Sequence, residues 1–185
     1  MTKISFIIIC FFICSFGWSQ SEEYQKQKAE KIENGSLQLK IETAALEIMT
    51  SVKTCALITL DEEDRPRVRA MDPFLPEKDF TVWFGTNPNS RKVEQIKNNS
   101  KVTLYYLENE SNGYVMIQGN AELVNNQEEK DKRWKPKWEA FYTNREDDYL
   151  LIKVTPEWME VVSYTHNLVG DTISWEPPIV IFDKK

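Results

Sequence analysis

The sequence predicts a mainly β chain of the α+β class, folded as a closed or nearly closed antiparallel barrel with short flanking helices. Apolar and polar residues alternate along six or seven short stretches, as in strands that bury one face. Polar turns and short segments of helical periodicity separate those stretches, and no internal repeat interrupts the series. The 185 residues are 41% hydrophobic and include six Trp, which suits one domain with one substantial core and excludes a disordered chain.

The first segment stands apart from this pattern. Lys3 is the only charge before Glu22, Ile4 to Phe16 form an apolar run, and Gly17-Trp18-Ser19 places small residues where a signal peptidase reads. Residues 1–19 are expected to be a cleaved secretory signal, because the run is shorter than the roughly 20 residues that span a bilayer. Isoleucines precede Cys10 and Cys14 where a lipoprotein signal has small residues. The expected destination lies across the inner membrane, in the periplasm. Removing the leader leaves 22 basic against 29 acidic side chains, a net charge of −7. That balance disfavours nonspecific nucleic-acid binding.

Residues 20–35 read as a charged helical or linker segment ending at Asn34-Gly35, and 36–185 as the barrel domain. Ser36 is a plausible N-cap for a helix carrying Leu37, Ile41, Ala44, Ala45, Ile48, Met49 and Val52 at helical spacing. A strand is predicted over 54–60, a polar turn over 61–64, and a second strand over 66–72. On that second strand Arg67, Arg69 and Met71 share one face, and Val68 and Ala70 the other. After the turn at 76–79 comes an aromatic strand over 80–85, giving an expected three-stranded meander. A short helix over 90–99, strands over 101–107 and 114–124, and a Trp-bearing helix over 127–138 follow. Two further strands, 149–155 and 158–164, are expected around Pro156, with an edge strand over 179–182 after Pro177-Pro178.

Composition removes several chemistries. Beyond the leader the chain keeps only Cys55 and His166, which cannot supply a zinc set or an internal disulfide. A Ser-His-Asp mechanism would have to use His166, and no G-x-S-x-G turn accompanies it. Cys55 lies mid-strand and reads as a buried small hydrophobe. The acidic runs 61–64 and 146–148 lack calcium-loop spacing and read as solvated turns. Among the Trp residues, Trp83 reads as a strand residue, while Trp134 and Trp138 fall four apart on one helix face.

The segment that carries chemistry is Thr86-Asn87-Pro88-Asn89-Ser90-Arg91-Lys92. Ser90 is placed to cap the helix behind it, so Arg91 and Lys92 fall in the first turn. Cations there oppose the partial positive charge of the helix start and cost roughly 0.3–1 kcal/mol each. A bound anion reverses that sign, because free N–H groups, a hydroxyl, a guanidinium and an ammonium then converge on it. The alternative is a solvated basic turn. Arg69, on the strand expected beside the one leading into Thr86, adds a second cation within reach.

These residues resemble a known family. Arg-Pro-Arg-Val-Arg-Ala-Met (65–71), Trp-Phe-Gly-Thr-Asn (83–87), Ser-Arg-Lys-Val-Glu-Gln-Ile-Lys-Asn-Asn (90–99), Val-Thr-Leu-Tyr-Tyr (102–106) and Val-Met-Ile-Gln-Gly-Asn-Ala (115–121) are similar in order and spacing to pyridoxamine 5′-phosphate oxidase-like proteins. The general-stress-protein-26-like branch is nearest. The resemblance covers roughly 48–162. It implies a six-stranded antiparallel split β-barrel with flanking helices that binds FMN as a homodimer. Arg69, Ala70 and Met71 would line FMN along the second strand, Thr86 and Asn87 would sit near the ribityl chain or ring edge, and Ser90, Arg91 and Lys92 would hold the phosphate. Tyr114 falls where the oxidases carry a glutamine that touches the flavin from the partner chain. The arginine and histidine with which the oxidases grip a substrate phosphate have no match after Pro156, which argues against vitamin B6 oxidation itself. The expected activity is an FMN-dependent oxidoreductase on a small substrate. The alternative is a barrel that binds flavin, haem or another cofactor without turnover.

Overall fold

The computed structural model describes residues 5–108 and 113–183, with side chains described from residue 25 onward. The loop predicted over 108–113 falls largely outside the described residues. Contacts divide the chain into two units, 1–40 and 41–185. No helix among the described residues is long and apolar enough to cross a membrane.

Helix α1 runs unbroken over Ser5–Ser51, so the predicted break at Asn34-Gly35 and the cap at Ser36 do not form. A glycine in an exposed helix costs only about 1 kcal/mol against alanine, and Gly35 has open space around it. In the first unit the described side chains, 25–40, are all exposed, Leu37 included. In the second unit Ile41, Ala44, Ala45, Ile48 and Met49 are buried, so the apolar stripe enters the core from Ile41 onward.

The strands are β1 (Cys55–Leu60), β2 (Pro66–Met71), β3 (Val82–Thr86), β4 (Lys101–Leu107), β5 (Tyr114–Val124), β6 (Leu150–Val162) and β7 (Ile179–Ile181). They form one antiparallel sheet in the order β2-β1-β4-β5-β6-β3, with β7 added on β6. The six-stranded path is open rather than closed, as in a split barrel, and β7 makes the seventh strand. Leu57 lies opposite Leu104, Leu104 opposite Ile117, and Ile117 opposite Met159. All four are fully buried, so one face of the sheet is the core.

Three predicted connections differ. β1 and β2 form a hairpin, but β3 pairs with β6 instead of continuing a meander. The 72–81 link contains Pro73 and Pro76, is too long for a tight hairpin turn, and carries the chain across to the far edge. The two strands expected around Pro156 are one, because a bulge at Gln118/Gly119 absorbs the proline, which cannot donate to the ladder. Gly119 is required there, since a Cβ would lie 2.2 Å from the Thr155 carbonyl oxygen. The helix predicted over 127–138 stops early: α3 spans Gln127–Lys132, and Pro136 opens a separate 3₁₀ turn, Pro136–Trp138. Trp134 and Trp138 therefore share no helix, yet their rings meet edge to face at 6.3 Å. Helix α2 is Arg91–Asn98, with Val93 and Ile96 buried. The acidic run 146–148 forms a short helix α4 (Arg145–Asp148), which Asn144 caps.

Candidate functional site

The site forms where β2, β3 and α2 end or begin together. On β2 the pleat turns Arg69 and Met71 inward and leaves Val68 and Ala70 outward, Val68 being 65% exposed. Arg69 does not reach α2 across a meander, as expected, but over β1. Its guanidinium donates to Thr59 Oγ1 at 2.8 Å and to Gln95 Oε1 at 2.9 Å, and Thr59 Oγ1 donates to Gln95 Oε1 at 2.6 Å. Both partners of Arg69 are neutral, so its charge is oriented without being cancelled.

At the end of β3, Thr86 is 2% exposed. Its Oγ1 lies 3.1 Å from Ser90 Oγ and accepts a hydrogen bond from Lys92 Nζ, also at 3.1 Å. Asn87 shapes the turn between them: its carbonyl accepts from Ser90 N and its Oδ1 from Asn89 N. Ser90 is the N-cap of α2 by backbone geometry, but its hydroxyl makes no cap bond and faces Thr86 instead. The N–H groups of the first turn keep no side-chain acceptor from Ser90.

Electrostatics single the site out. Burial, then the nearby Arg91, lowers the pKa of Arg69; burial, then Arg69, lowers that of Lys92. Three cations thus crowd the start of a helix. Among the described residues no carboxylate forms an ion pair with any of them. Such an arrangement is costly when empty and favourable around an anion.

From this cationic end a cleft of about 390 Å³ opens between β2 and β3. Ala70, Met71 and Asp72 line one side, Gly85, Thr86 and Asn87 the other, and Lys92 the end. Trp138, Phe141 and Tyr142 form an aromatic wall. Gly85 lets that wall approach, because a Cβ there would meet Trp138 and Tyr149 ring atoms at 2.6 Å. Asp72 is held by Lys135 at 2.6 Å and Lys137 at 3.0 Å. The shape suits a flat, apolar group carried on a chain that ends in an anion.

The structure brings together eight of the nine residues predicted from sequence: Ala70, Met71, Thr86, Asn87 and Lys92 line the cleft, and Arg69, Ser90 and Arg91 stand at its cationic end. Tyr114 is elsewhere, at the start of β5 on the outer face of the sheet. It donates to Glu160 Oε1 at 2.5 Å and packs on Tyr105 at 5.2 Å. His166 also lies outside the cleft, with Nδ1 3.0 Å from Ser163 Oγ and Nε2 3.3 Å from Glu47. Cys55 is buried, and that burial pushes its thiol up to about 12, so it is no nucleophile. Sequence reading missed Thr59, Gln95, Asp72, Gly85, Phe141 and Tyr142. Gln95, one helical turn beyond Arg91, was the one with a usable signal.

The fold has relatives among known proteins. General stress protein 26 of Bacillus subtilis (strain 168) is 30% identical over 121 residues, which are 63% of this chain and 84% of that protein. The crystal structure of General Stress Protein 26 from Bacillus anthracis str. Sterne superposes with a TM-score of 0.60 at 24% identity, covering 79% of this chain and 98% of that one. A haem binding protein from Mycobacterium smegmatis shares the fold at a TM-score of 0.54 and 13% identity, over 64% of this chain and 52% of that one. The family model described as pyridoxamine 5′-phosphate oxidase like matches residues 42–175, and the chain belongs to that family.

Proposed function

We propose that the protein binds FMN in this cleft and acts as an oxidoreductase on a small substrate other than a B6 vitamer. The observation that carries the reading is the cluster of Arg69, Arg91 and Lys92 at the start of α2, which no carboxylate among the described residues neutralises. It adjoins a cleft with one aromatic wall. Ser90, Arg91 and Lys92 would hold the phosphate, Thr86 and Asn87 the ribityl chain, and Ala70, Met71 and Trp138 the ring. The flavin supplies the redox chemistry when bound; the chain supplies charge, orientation and an apolar wall that excludes water.

A homodimer is part of the reading. The outer sheet face carries Ala56, Ala70, Tyr105, Met116 and Glu160 in one continuous row of directly paired residues, flanked by Val68 and by Ile181, 72% exposed. A second copy on this face would cover it and bring its Tyr114 toward the neighbouring site. The apolar run over 4–16 supports export with cleavage after residue 19; intact-mass measurement on a periplasmic fraction tests that step.

Haem is the competing ligand, favoured by the fold shared with a haem binding protein. The single histidine is committed to Ser163 and Glu47 outside the cleft, so flavin is the better fit. The test is a visible spectrum of the purified protein titrated with FMN and, separately, with haem. A bound-flavin spectrum at micromolar FMN is expected; haem binding without FMN binding overturns the reading. If FMN binds, turnover with NAD(P)H or another electron donor separates an enzyme from a carrier. Molecular mass in solution tests the dimer.

A further inference from the structure

Behind the aromatic wall of the cleft stands one buried cation. Lys130 lies on α3, where every residue is polar or charged, yet it is only 2% exposed. Burying an ammonium is costly unless its donors find partners. Among the described residues no carboxylate pairs with it. Its Nζ donates to Asn125 Oδ1 at 3.1 Å and to the Glu146 carbonyl at 2.8 Å. Glu146 belongs to α4, whose four residues are too few to satisfy their own carbonyls. Arg145 reaches back the other way: its Nη2 donates to the Lys130 carbonyl at 2.9 Å and to Asp131 Oδ1 at 2.8 Å. These crossed bonds tie α3 to α4 and close the base of the connection between them.

That connection carries the wall, since Trp138, Phe141 and Tyr142 line the cleft from it. The closed base reaches them by two routes. Along the chain, Asp148 of α4 accepts from Asn144 N at 3.1 Å, and the Asn144 side chain caps the same helix, so the segment just after Tyr142 is held. Through the rings, the Arg145 guanidinium lies 4.4 Å from the Trp134 ring centre, and Trp134 packs on Trp138 at 6.3 Å and on Tyr142 at 6.1 Å. Phe141 is 75% exposed, so its place over the cleft comes from this frame rather than from burial of its own ring.

We propose that Lys130 is a positioning residue for the ligand's ring: through α4 it fixes the segment that carries Phe141 and Tyr142, and it takes no part in holding the phosphate. This rests on the flavin reading above and deepens it. The phosphate end is built on β2 and α2, so a loss at Lys130 should be felt at the ring alone. A merely structural clamp would weaken both ends together or neither.

Lys130→Met keeps an apolar stem and removes the charge. Arg145→Met opens the other half of the clamp, from a side chain already 35% exposed. Each variant of the full chain is titrated with FMN by flavin fluorescence, with inorganic phosphate as a competitor that reports the cationic end. In both variants FMN should bind about tenfold more weakly, and bound FMN should be brighter and lower in anisotropy. The affinity for inorganic phosphate should stay within about twofold. Lys130→Met combined with Phe141→Ala should lose less than the product of the two single losses, because both act through the wall. Unchanged FMN affinity and fluorescence, phosphate weakened in step with FMN, or losses that multiply each overturn the proposal and leave the FMN reading standing. If Lys130→Met does not fold, Arg145→Met, alone and with Phe141→Ala, decides by the same outcomes. A wild-type chain that binds no FMN overturns both readings.

Discussion

Leu57, Leu104, Ile117 and Ile152 come one each from β1, β4, β5 and β6 and meet inside the sheet. Trp83, Trp138, Tyr149 and Leu151 meet beside the cleft, with Phe74, Trp134 and Tyr142 packed against them. The first cluster follows from strand alternation: every second residue of a paired strand must face the same way. The second is drawn largely from the connection between β5 and β6, and cations cover its rings. Arg133 lies 3.7 Å from the Trp83 ring centre, Arg145 4.4 Å from Trp134, and Lys135 4.7 Å from Phe74. Such contacts are worth about 0.5–1 kcal/mol when exposed and about 2 when desolvated. On the proposed reading, stability and ligand recognition fall to different packing units. The barrel holds the strand ends still, and the aromatic unit forms the wall those ends face.

The sharpest way to separate the two units is to strip charge from the site. Arg91→Ala combined with Lys92→Ala should weaken FMN binding by about 3–6 kcal/mol, taking about 1.5–3 for each charge-assisted hydrogen bond. The ligand-free protein should unfold at the same denaturant concentration or a higher one, because the variant relieves like-charge crowding around Arg69. Unchanged FMN affinity refutes the phosphate assignment; a large loss of stability refutes the separation.

A paired truncation tests the converse. Leu104→Ala, in the barrel, should lose about 2–5 kcal/mol of unfolding free energy and keep its FMN affinity under conditions where it remains folded. Phe141→Ala should change stability by no more than about 0.5 kcal/mol, since Phe141 is 75% exposed, yet weaken FMN. Chemical denaturation and flavin titration on both variants decide it. Equal effects of the two substitutions on binding would mean that the wall and the core act as one unit.

The same division explains what could be read from sequence. Strands β4 and β5 fall at their predicted bounds because each alternates through its whole length, and α2 is nearly as predicted because Val93 and Ile96 mark a buried stripe. The run from Thr86 to Lys92 was legible because cations in a first helical turn are locally unfavourable and so ask for a reason. Strand partners were less legible. Nothing in β3 says that it pairs with β6, since its burial pattern has no polar face to orient it. The partners of Arg69 come from β1 and α2, 10 and 26 residues away, and only the sheet order brings them together. Phe141 and Tyr142 lie in a connection without periodicity, so no pattern assigns them a face. Tyr114 was placed by resemblance alone, and within a single chain it joins Glu160 rather than the cleft.

The smallest effect concerns protons. Burial and the neighbouring Arg69 disfavour the charged form of Lys92, so its pKa lies below the ordinary lysine range. In free protein Lys92 therefore sheds its proton at a lower pH than an unburied lysine, whereas the FMN phosphate is already dianionic above about pH 7. Affinity for FMN should consequently fall as pH rises through the alkaline range, by at most about 1.4 kcal/mol per pH unit. The fall should begin earlier than an ordinary lysine would give. The stability of the ligand-free protein carries the opposite sign: in the same window the unfolded chain binds more protons at this position than the native one, so this contribution rises with pH. Lys92→Arg separates the two, because a guanidinium stays charged throughout. Titrating both proteins with FMN at increasing pH should show an alkaline loss in the wild type that the arginine variant lacks. Parallel curves would mean that Lys92 does not face the phosphate, and the cationic end of the cleft would then rest on Arg69 and Arg91.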